Sequence, residues 1–393
     1  GSAVFAAMVT LAPSRAARHR LTRLIDGLPL PEGWALVYDP PDAATLEALL
    51  SHPGLSLVAV VADPAQAAGL RAYFRARGIY GTRISVHAGT IAGYQAPPYV
   101  AQLVLVCQPA AAADPANLRQ LFAAVRPYGG RLFLLGRAAR LRRLMRPHSL
   151  PGSRWVDQSD GLLIERPGPL PGSAPWTHLY GSAANTAKSD ESLVRAPLGL
   201  LWFGGNSHAD VLPRHGHGPS EQVIRGRLFI QGIDSLSARD VYTGTTLWKR
   251  TFSNLGTEGI YYDSSYCEDP LDLTYNQRHI PGANARGTNF VATADRLYLL
   301  AGSDCLVLDP TDGRTLATFA LPPAEPGGAA PAWGYIGVAG DVIIGGTGFS
   351  AFSQAHDIEK GGLMDDFDVS SSRGLAAFDR HSGALLWTRP ARL

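Results

Sequence analysis

One cluster in the sequence has the residue types and spacing to hold a metal ion: His208-x-Asp210 followed by His215-x-His217. Alternate residues of an extended segment share a face, so the two pairs could offer three or four nitrogen and oxygen ligands to Zn²⁺ or a similar ion. The competing reading is a loop flanked by Gly216, Gly218 and Pro219 whose imidazoles bond to backbone. Asn284, Arg286 and Asn289 form a second polar loop able to line a pocket. No Ser-His-Asp order or nucleophile elbow can be defended. Two carboxylates, Asp39 and Asp63, close apolar runs in the first half.

The elements that would position these groups differ between the two halves. Strands are expected at Ala35–Asp39, Leu57–Asp63, Arg83–Ala88, Gln102–Cys107, Arg131–Leu135 and Gly161–Arg166. Helical spacing of apolar residues falls between them, over Ala43–Ser51, Ala65–Arg77 and Pro115–Val125. This alternation predicts a Rossmann-like parallel sheet with helices on both faces over residues 34–167. The succession resembles class I S-adenosylmethionine-dependent methyltransferases. In that family an acidic residue ends the second strand and Arg-Pro-x-Gly-Gly precedes the fifth; Asp63 and Arg126-Pro-Tyr-Gly-Gly130 match.

The resemblance implies a cofactor bound at Asp39 and Asp63, but the first turn departs from the family pattern. A glycine-rich turn should follow the first strand, so that backbone N–H groups meet the cofactor. Here the chain reads Val37-Tyr-Asp-Pro-Pro-Asp42. Pro40 and Pro41 have no N–H and fixed φ, so two donors are missing and ring atoms fill the space. Asp63-Pro64 also reads as a helix N-cap with a first-turn proline, and Asp114-Pro115 repeats that device. The expectation is a degenerate, empty cofactor position.

Pro167-Gly-Pro-Leu-Pro-Gly-Ser-Ala-Pro175 is a linker, placed at 168–175. Beyond it a repeat appears. Its copies are Leu236–Trp248, Cys305–Ala317 and Leu375–Trp387, with Asp240, Asp309 and Asp379 each followed four residues later by Gly244, Gly313 and Gly383. Eight residues after each Asp stand Trp248, Ala317 and Trp387. Each copy reads as a strand, a tight Gly turn and a return strand. Two more strands precede each copy, giving four antiparallel strands per repeat, as in a propeller blade. Gly199–Phe203 around Trp202 is expected as the outer strand of a further blade.

The repeat resembles the tryptophan-docking motif of pyrroloquinoline-quinone (PQQ) dehydrogenases and of non-catalytic outer-membrane-assembly propellers. Trp176-Thr-His-Leu-Tyr-Gly-Ser-Ala-Ala-Asn-Thr186 resembles their opening segment. With His215-Gly-His-Gly-Pro219 and Pro281–Phe290, the pairing of the two halves resembles planctomycete PQQ-like repeat proteins. That resemblance implies an all-β propeller over 176–393, incomplete in this chain, with the remaining blades supplied by another chain or a C-terminal fragment. A quinoprotein site typically uses adjacent cysteines, a Trp platform and Ca²⁺. No two of Cys107, Cys267 and Cys305 are adjacent, so a PQQ cofactor is not expected. Cys267 and Cys305 are read either as a pair in an exported protein or as two free thiols.

Composition excludes other classes. In 393 residues, 46% are hydrophobic and 17% charged, which suits buried cores rather than disorder. A net charge of +2 gives no general attraction for nucleic acid. Arg137, Arg140, Arg142, Arg143 and Arg146 form one basic stretch, read as an amphipathic helix; no aromatics interleave with them for base stacking. No run reaches the ~20 apolar residues of a membrane span. Residues 1–33 open on Ala3–Leu11, which resembles the end of a signal peptide or else a short helix. The combined expectation is a periplasmic or secreted binding or scaffold protein with a protein partner. Its rivals are a PQQ- or metal-dependent dehydrogenase and an active methyltransferase.

Overall fold

The computed structural model describes residues 21–145, 149–205, 210–212, 220–253, 255, 290–347, 372 and 374–390. The chain divides into two units, Gly1–Gly172 and Ser173–Leu393. The division falls inside the Pro/Gly-rich stretch Pro167–Pro175, outside any strand or helix.

The first unit is built on a seven-stranded sheet. Its strands are β1 (Gly33–Tyr38), β2 (Leu55–Val61), β3 (Ile84–Ala88), β4 (Ala101–Val106), β5 (Gly130–Leu135), β6 (Arg154–Gln158) and β7 (Gly161–Arg166). The order is β3-β2-β1-β4-β5-β7-β6. The first five strands are parallel, and β7 is antiparallel to both β5 and β6. Helices α1 (Ala43–Leu50), α2 (Pro64–Ala76), α3 (Pro115–Ala124) and α4 (Ala138–Met145) connect them.

Strand periodicity explains the two-sided burial. Ala35, Val37, Leu57, Ala59, Leu103 and Leu105 point to one face and pack on Leu46 and Leu49 of α1 and on Leu70 and Phe74 of α2. Leu36, Tyr38, Val60, Val104 and Val106 point to the other and meet Leu118 and Leu121 of α3 and Leu141 and Met145 of α4. This is the Rossmann-like α/β arrangement that the sequence predicted, with edges shifted by up to two residues. The antiparallel pair at its end is a departure. β6 escapes the sequence reading because it is an edge strand: only Trp155 and Val156 are partly covered, and its other residues are exposed and polar.

The second unit contains three four-stranded antiparallel sheets. They are β8 (Gln222–Ile224), β9 (Arg227–Gln231), β10 (Ser235–Asp240) and β11 (Thr246–Thr251); β12 (Phe290–Ala292), β13 (Leu297–Ala301), β14 (Asp304–Leu308) and β15 (Thr315–Ala320); and β16 (Trp333–Ala339), β17 (Val342–Thr347), β18 (Gly374–Asp379) and β19 (Leu385–Pro390). Each is a meander in sequence order. The described residues contain these three sheets and no closed ring of them. Gly199–Phe203, expected as an outer strand, belongs to no sheet among the described residues. The first strands lie side by side, with β12 touching both β8 and β16.

Candidate functional site

A parallel sheet binds ligands outside the carboxyl ends of its strands, where the strand order reverses. In the first unit that place lies between β1 and β4. Tyr38 ends β1, and the Cys107 N–H donates to its carbonyl at 3.0 Å. The next residue, Asp39, has φ +49°, a left-handed conformation that Asp tolerates because its short carboxylate bonds locally. Its N–H donates to Val60 O at 2.8 Å, and its carboxylate accepts the Ala62 N–H at 2.9 Å. Gln66 of α2 donates to Pro40 O at 2.9 Å. Asp42 then caps α1, accepting from Thr45 N and Thr45 Oγ1, both at 2.7 Å. Asp63 caps α2, accepting Ala65 N at 2.9 Å, with Pro64 at the first helical position. Asp39 and Asp63 thus both accept from backbone N–H groups of the β2–α2 turn, Asp39 from Ala62 just after β2 and Asp63 from Ala65 at the start of α2.

Below this edge the Tyr38 hydroxyl is buried, and burial first, with the Tyr94 hydroxyl second, pushes its pKa up to about 12. Tyr94 stacks at a tilt on His87, with ring centroids 5.1 Å apart. Tyr38, Tyr94 and His87 were not singled out in the sequence, where they look like ordinary strand and loop aromatics.

In the second unit, three successive residues of one strap each bind a different sheet. Trp176 exchanges backbone hydrogen bonds with Val223 of β8 at 2.7 and 2.8 Å. Thr177 O accepts from Ala292 N of β12 at 3.3 Å. His178 Nε2 accepts from Val338 N of β16 at 3.1 Å, while Nδ1 lies 2.9 Å from Thr177 Oγ1. The imidazole is 5% exposed, and burial lowers its pKa. Gln222 ties β8 to β12 as well: its amide N–H donates to Phe290 O at 2.5 Å and its carbonyl accepts Ala292 N at 2.6 Å. The sequence contains this strap in its opening segment, but nothing in its spacing marks His178 or Gln222 as bridges.

The repeat residues meet as their spacing implies. Asp240, Asp309 and Asp379 accept the N–H two residues on, at 3.2, 2.8 and 3.1 Å. Gly244, Gly313 and Gly383 have φ of +72, +73 and +74°. Each is also too close to a ring for any side chain: a Cβ would run into Trp202, Trp248 and Phe319 respectively. The Trp202 indole N–H donates to Val241 O at 2.9 Å and that of Trp248 to Pro310 O at 3.1 Å, in both cases the residue after the turn Asp. Ala317 stands in the Trp place, yet the contact survives. Phe319, two residues on and so on the same face of β15, takes over the docking.

Of the four proposed metal ligands only Asp210 lies among the described residues; His208, His215 and His217 lie outside them. The Asp210 carboxylate meets the Lys249 ammonium. No group of three or more His, Cys, Asp or Glu gathers among the described residues. Asn284, Arg286, Asn289 and Cys267 also lie outside them, while Cys305 is buried in β14, where burial pushes its thiol pKa far up. Of the basic stretch, Arg140, Arg142 and Arg143 lie in α4, with Leu141 and Met145 buried and Arg142 paired to Asp157 at 2.8 Å, while Arg146 lies outside the described residues. No described helix is long and apolar enough to cross a membrane.

No protein family and no curated protein matches this chain. Among solved structures it is similar to a Methanococcus maripaludis protein classed with the S-adenosyl-L-methionine-dependent methyltransferases, at 11% identity and TM-score 0.34, covering 43% of this chain and 92% of that one. It is also similar to a SAM-dependent methyltransferase of Aquifex aeolicus, at 11% identity and TM-score 0.31, covering 39% and 91%. At these scores the likeness assigns neither activity nor substrate.

Proposed function

We propose that this chain is a binding or scaffold protein: a methyltransferase-like first unit whose cofactor position is closed by its own residues, joined to propeller sheets of the quinoprotein type that dock protein. The observation that carries this reading is the end of β1. Asp39 turns its carboxylate onto the Ala62 N–H, Gln66 holds the Pro40 carbonyl, and Pro40 and Pro41 bring none of the backbone donors that a glycine-rich turn would present to a ligand. Titration calorimetry with S-adenosylmethionine is the test. The expected result is no heat of binding; micromolar affinity would overturn the closed-site reading.

A second reading, an active S-adenosylmethionine-dependent methyltransferase, is favoured by the strand order with its reversed β7 and by Asp63 at the end of β2. The same titration decides between them, because methyl transfer requires the cofactor to bind. The quinoprotein reading draws less support. The strap Trp176–His178 bonds to β8, β12 and β16 in turn, which suits a structural tie across the sheets. PQQ-dependent dye reduction in the presence of Ca²⁺ would restore it.

A further inference from the structure

Cross-strand register puts an ordered set of side chains on one face of β5, β7 and β6. Arg131, Glu165 and Arg154 stand abreast in one row, and Phe133, Leu163 and Val156 in the next. On that face α1 and α2 lie over β2 and β3, and this end of the sheet is flanked instead by the helical residues 21–25. Between them opens a cavity of about 250 Å³. The apolar row is its floor, with Leu24 at its side, and three arginines and two carboxylates surround it.

The charges around the cavity do not cancel. Glu165, only 9% exposed, accepts from Arg154 Nε and Nη2 on Oε2, at 2.9 and 2.5 Å. Its other oxygen, Oε1, lies 3.6 Å from Arg131 Nε. Asp160 Oδ2 is 3.8 Å from Arg23 Nη2, an ion pair too long for a hydrogen bond. Two carboxylates thus face the guanidiniums of Arg23, Arg131 and Arg154, which leaves one positive charge over. Donors are left over as well. Among the described residues Arg23 and Arg154 Nη1 make no hydrogen bond, and the buried Arg131 Nε has no hydrogen-bond partner. Arg131 Nη1 meanwhile donates to Leu24 O and Asp26 O at 2.9 and 2.7 Å, which fixes the cationic wall to the helical turn beside it. A guanidinium next to an apolar floor attracts an anion more strongly than one in open water.

We infer that this cavity binds a small organic acid, one carboxylate on a compact apolar body. The body rests on Phe133, Leu163 and Val156, and the carboxylate meets Arg23 and Arg154 at the rim. A monoanion matches the single uncompensated charge, whereas a phosphate dianion would bring a second charge against Asp160 and Glu165. The volume agrees: an apolar cavity of ~150 Å³ takes benzene, so a ring with a short acid arm fits here. The site lies beyond β5, away from the crevice between β1 and β4, and the inference does not depend on whether that crevice is closed.

The test is saturation-transfer NMR of the full chain with phenylacetate as the probe. It should bind saturably with a Kd at or below ~1 mM, as expected for so small a ligand. Benzylamine reverses the charge and benzyl alcohol removes it, so both should bind at least ~10-fold more weakly for want of a charge-assisted hydrogen bond. Phenyl phosphate should also be weaker. Arg23→Gln, at an exposed side chain, should raise the Kd for phenylacetate about 10-fold with an unchanged melt. Val156→Trp should fill the floor and abolish binding; if its melt shows that the first unit no longer folds, Arg23→Gln decides alone. The tripeptide Gly-Gly-Phe should bind no better than phenylacetate, and tighter binding would make the ligand a polypeptide end instead of a free acid. No saturation by ~10 mM phenylacetate would overturn the inference. So would equal binding of benzyl alcohol, tighter binding of phenyl phosphate, or a Kd unmoved by Arg23→Gln.

Discussion

Protonation of His178 should loosen the strap that crosses the second unit's three sheets. Val338 N–H is a donor, so its 3.1 Å bond to Nε2 exists only while that nitrogen keeps its lone pair. The remaining ring proton then sits on Nδ1, facing Thr177 Oγ1 at 2.9 Å. Burial holds the imidazole pKa below its ordinary 6.5, and no charged group contributes to that shift. The sign follows from linkage. A His that is neutral when folded contributes stability that is full above the unfolded pKa of ~6.5 and is lost as pH falls toward the lower folded value. Within that window the slope is at most one proton, or ~1.4 kcal/mol per pH unit.

Deletion of the ring gives an independent magnitude. His178→Ala leaves the Val338 N–H buried without its partner, which costs about 1–3 kcal/mol. The assay is hydrogen exchange of the Val338 amide, with denaturant melts of the second unit, from pH 7.5 to 5.0. The wild type should lose protection at Val338 as pH falls, beyond the intrinsic pH dependence of exchange. His178→Gln, which cannot titrate, should remove that extra slope. Equal pH slopes in the two proteins would refute the reasoning, because the imidazole would then not be the group that titrates.

The remaining predictions test the ties between sheets. Gly313→Ala should cost at least ~2 kcal/mol in melts, since the residue is held at φ +73° and its Cβ would meet the Trp248 ring. Gly78→Ala, at φ +68° with open space around it, should cost only ~1 kcal/mol, so equal losses would mean the ring contact is unimportant. Gln222→Leu should cost about 2–4 kcal/mol by removing the side-chain amide's bonds to Phe290 O and Ala292 N, the second of which keeps only its 3.3 Å contact to Thr177. Phe319→Ala should destabilise by about 3–5 kcal/mol if the ring packs as core, whereas a loss under ~1 kcal/mol would remove it as the docking group at Gly383.

The sequence disclosed what rests on period and local chemistry. The two-residue alternation of β1, β2 and β4 and the helical spacing of α1, α2 and α3 are written in runs of Leu, Val and Ala. The caps Asp63 and Asp114 announce themselves through the prolines that follow them. The Asp-to-Gly spacing of the turns is likewise local, because the carboxylate and the left-handed Gly serve the same few residues. What depends on distant partners stayed hidden. His178 and Val338 are 160 residues apart, and Gln222 and Phe290 are 68 apart. β6 stayed hidden for a different reason: as an edge strand it needs no apolar alternation.

Phe319 shows how far a motif can be read as chemistry rather than letters. The repeat's Trp position is Ala317, which by spelling alone marks a sheet that has lost its dock. A strand, however, presents residues two apart to the same side, and a docking contact needs only an aromatic face over a Gly that has no Cβ. Phe319 meets both demands from the place that Arg250 and Arg389 hold in the other sheets. The exchange trades the guanidinium's bond to the Gly carbonyl for a ring without an N–H. The dock between the second and third sheets therefore relies on apolar contact, while that between the first and second has directed hydrogen bonds as well. At β19 Trp387 and Arg389 stand again in the register that Trp248 and Arg250 hold in β11.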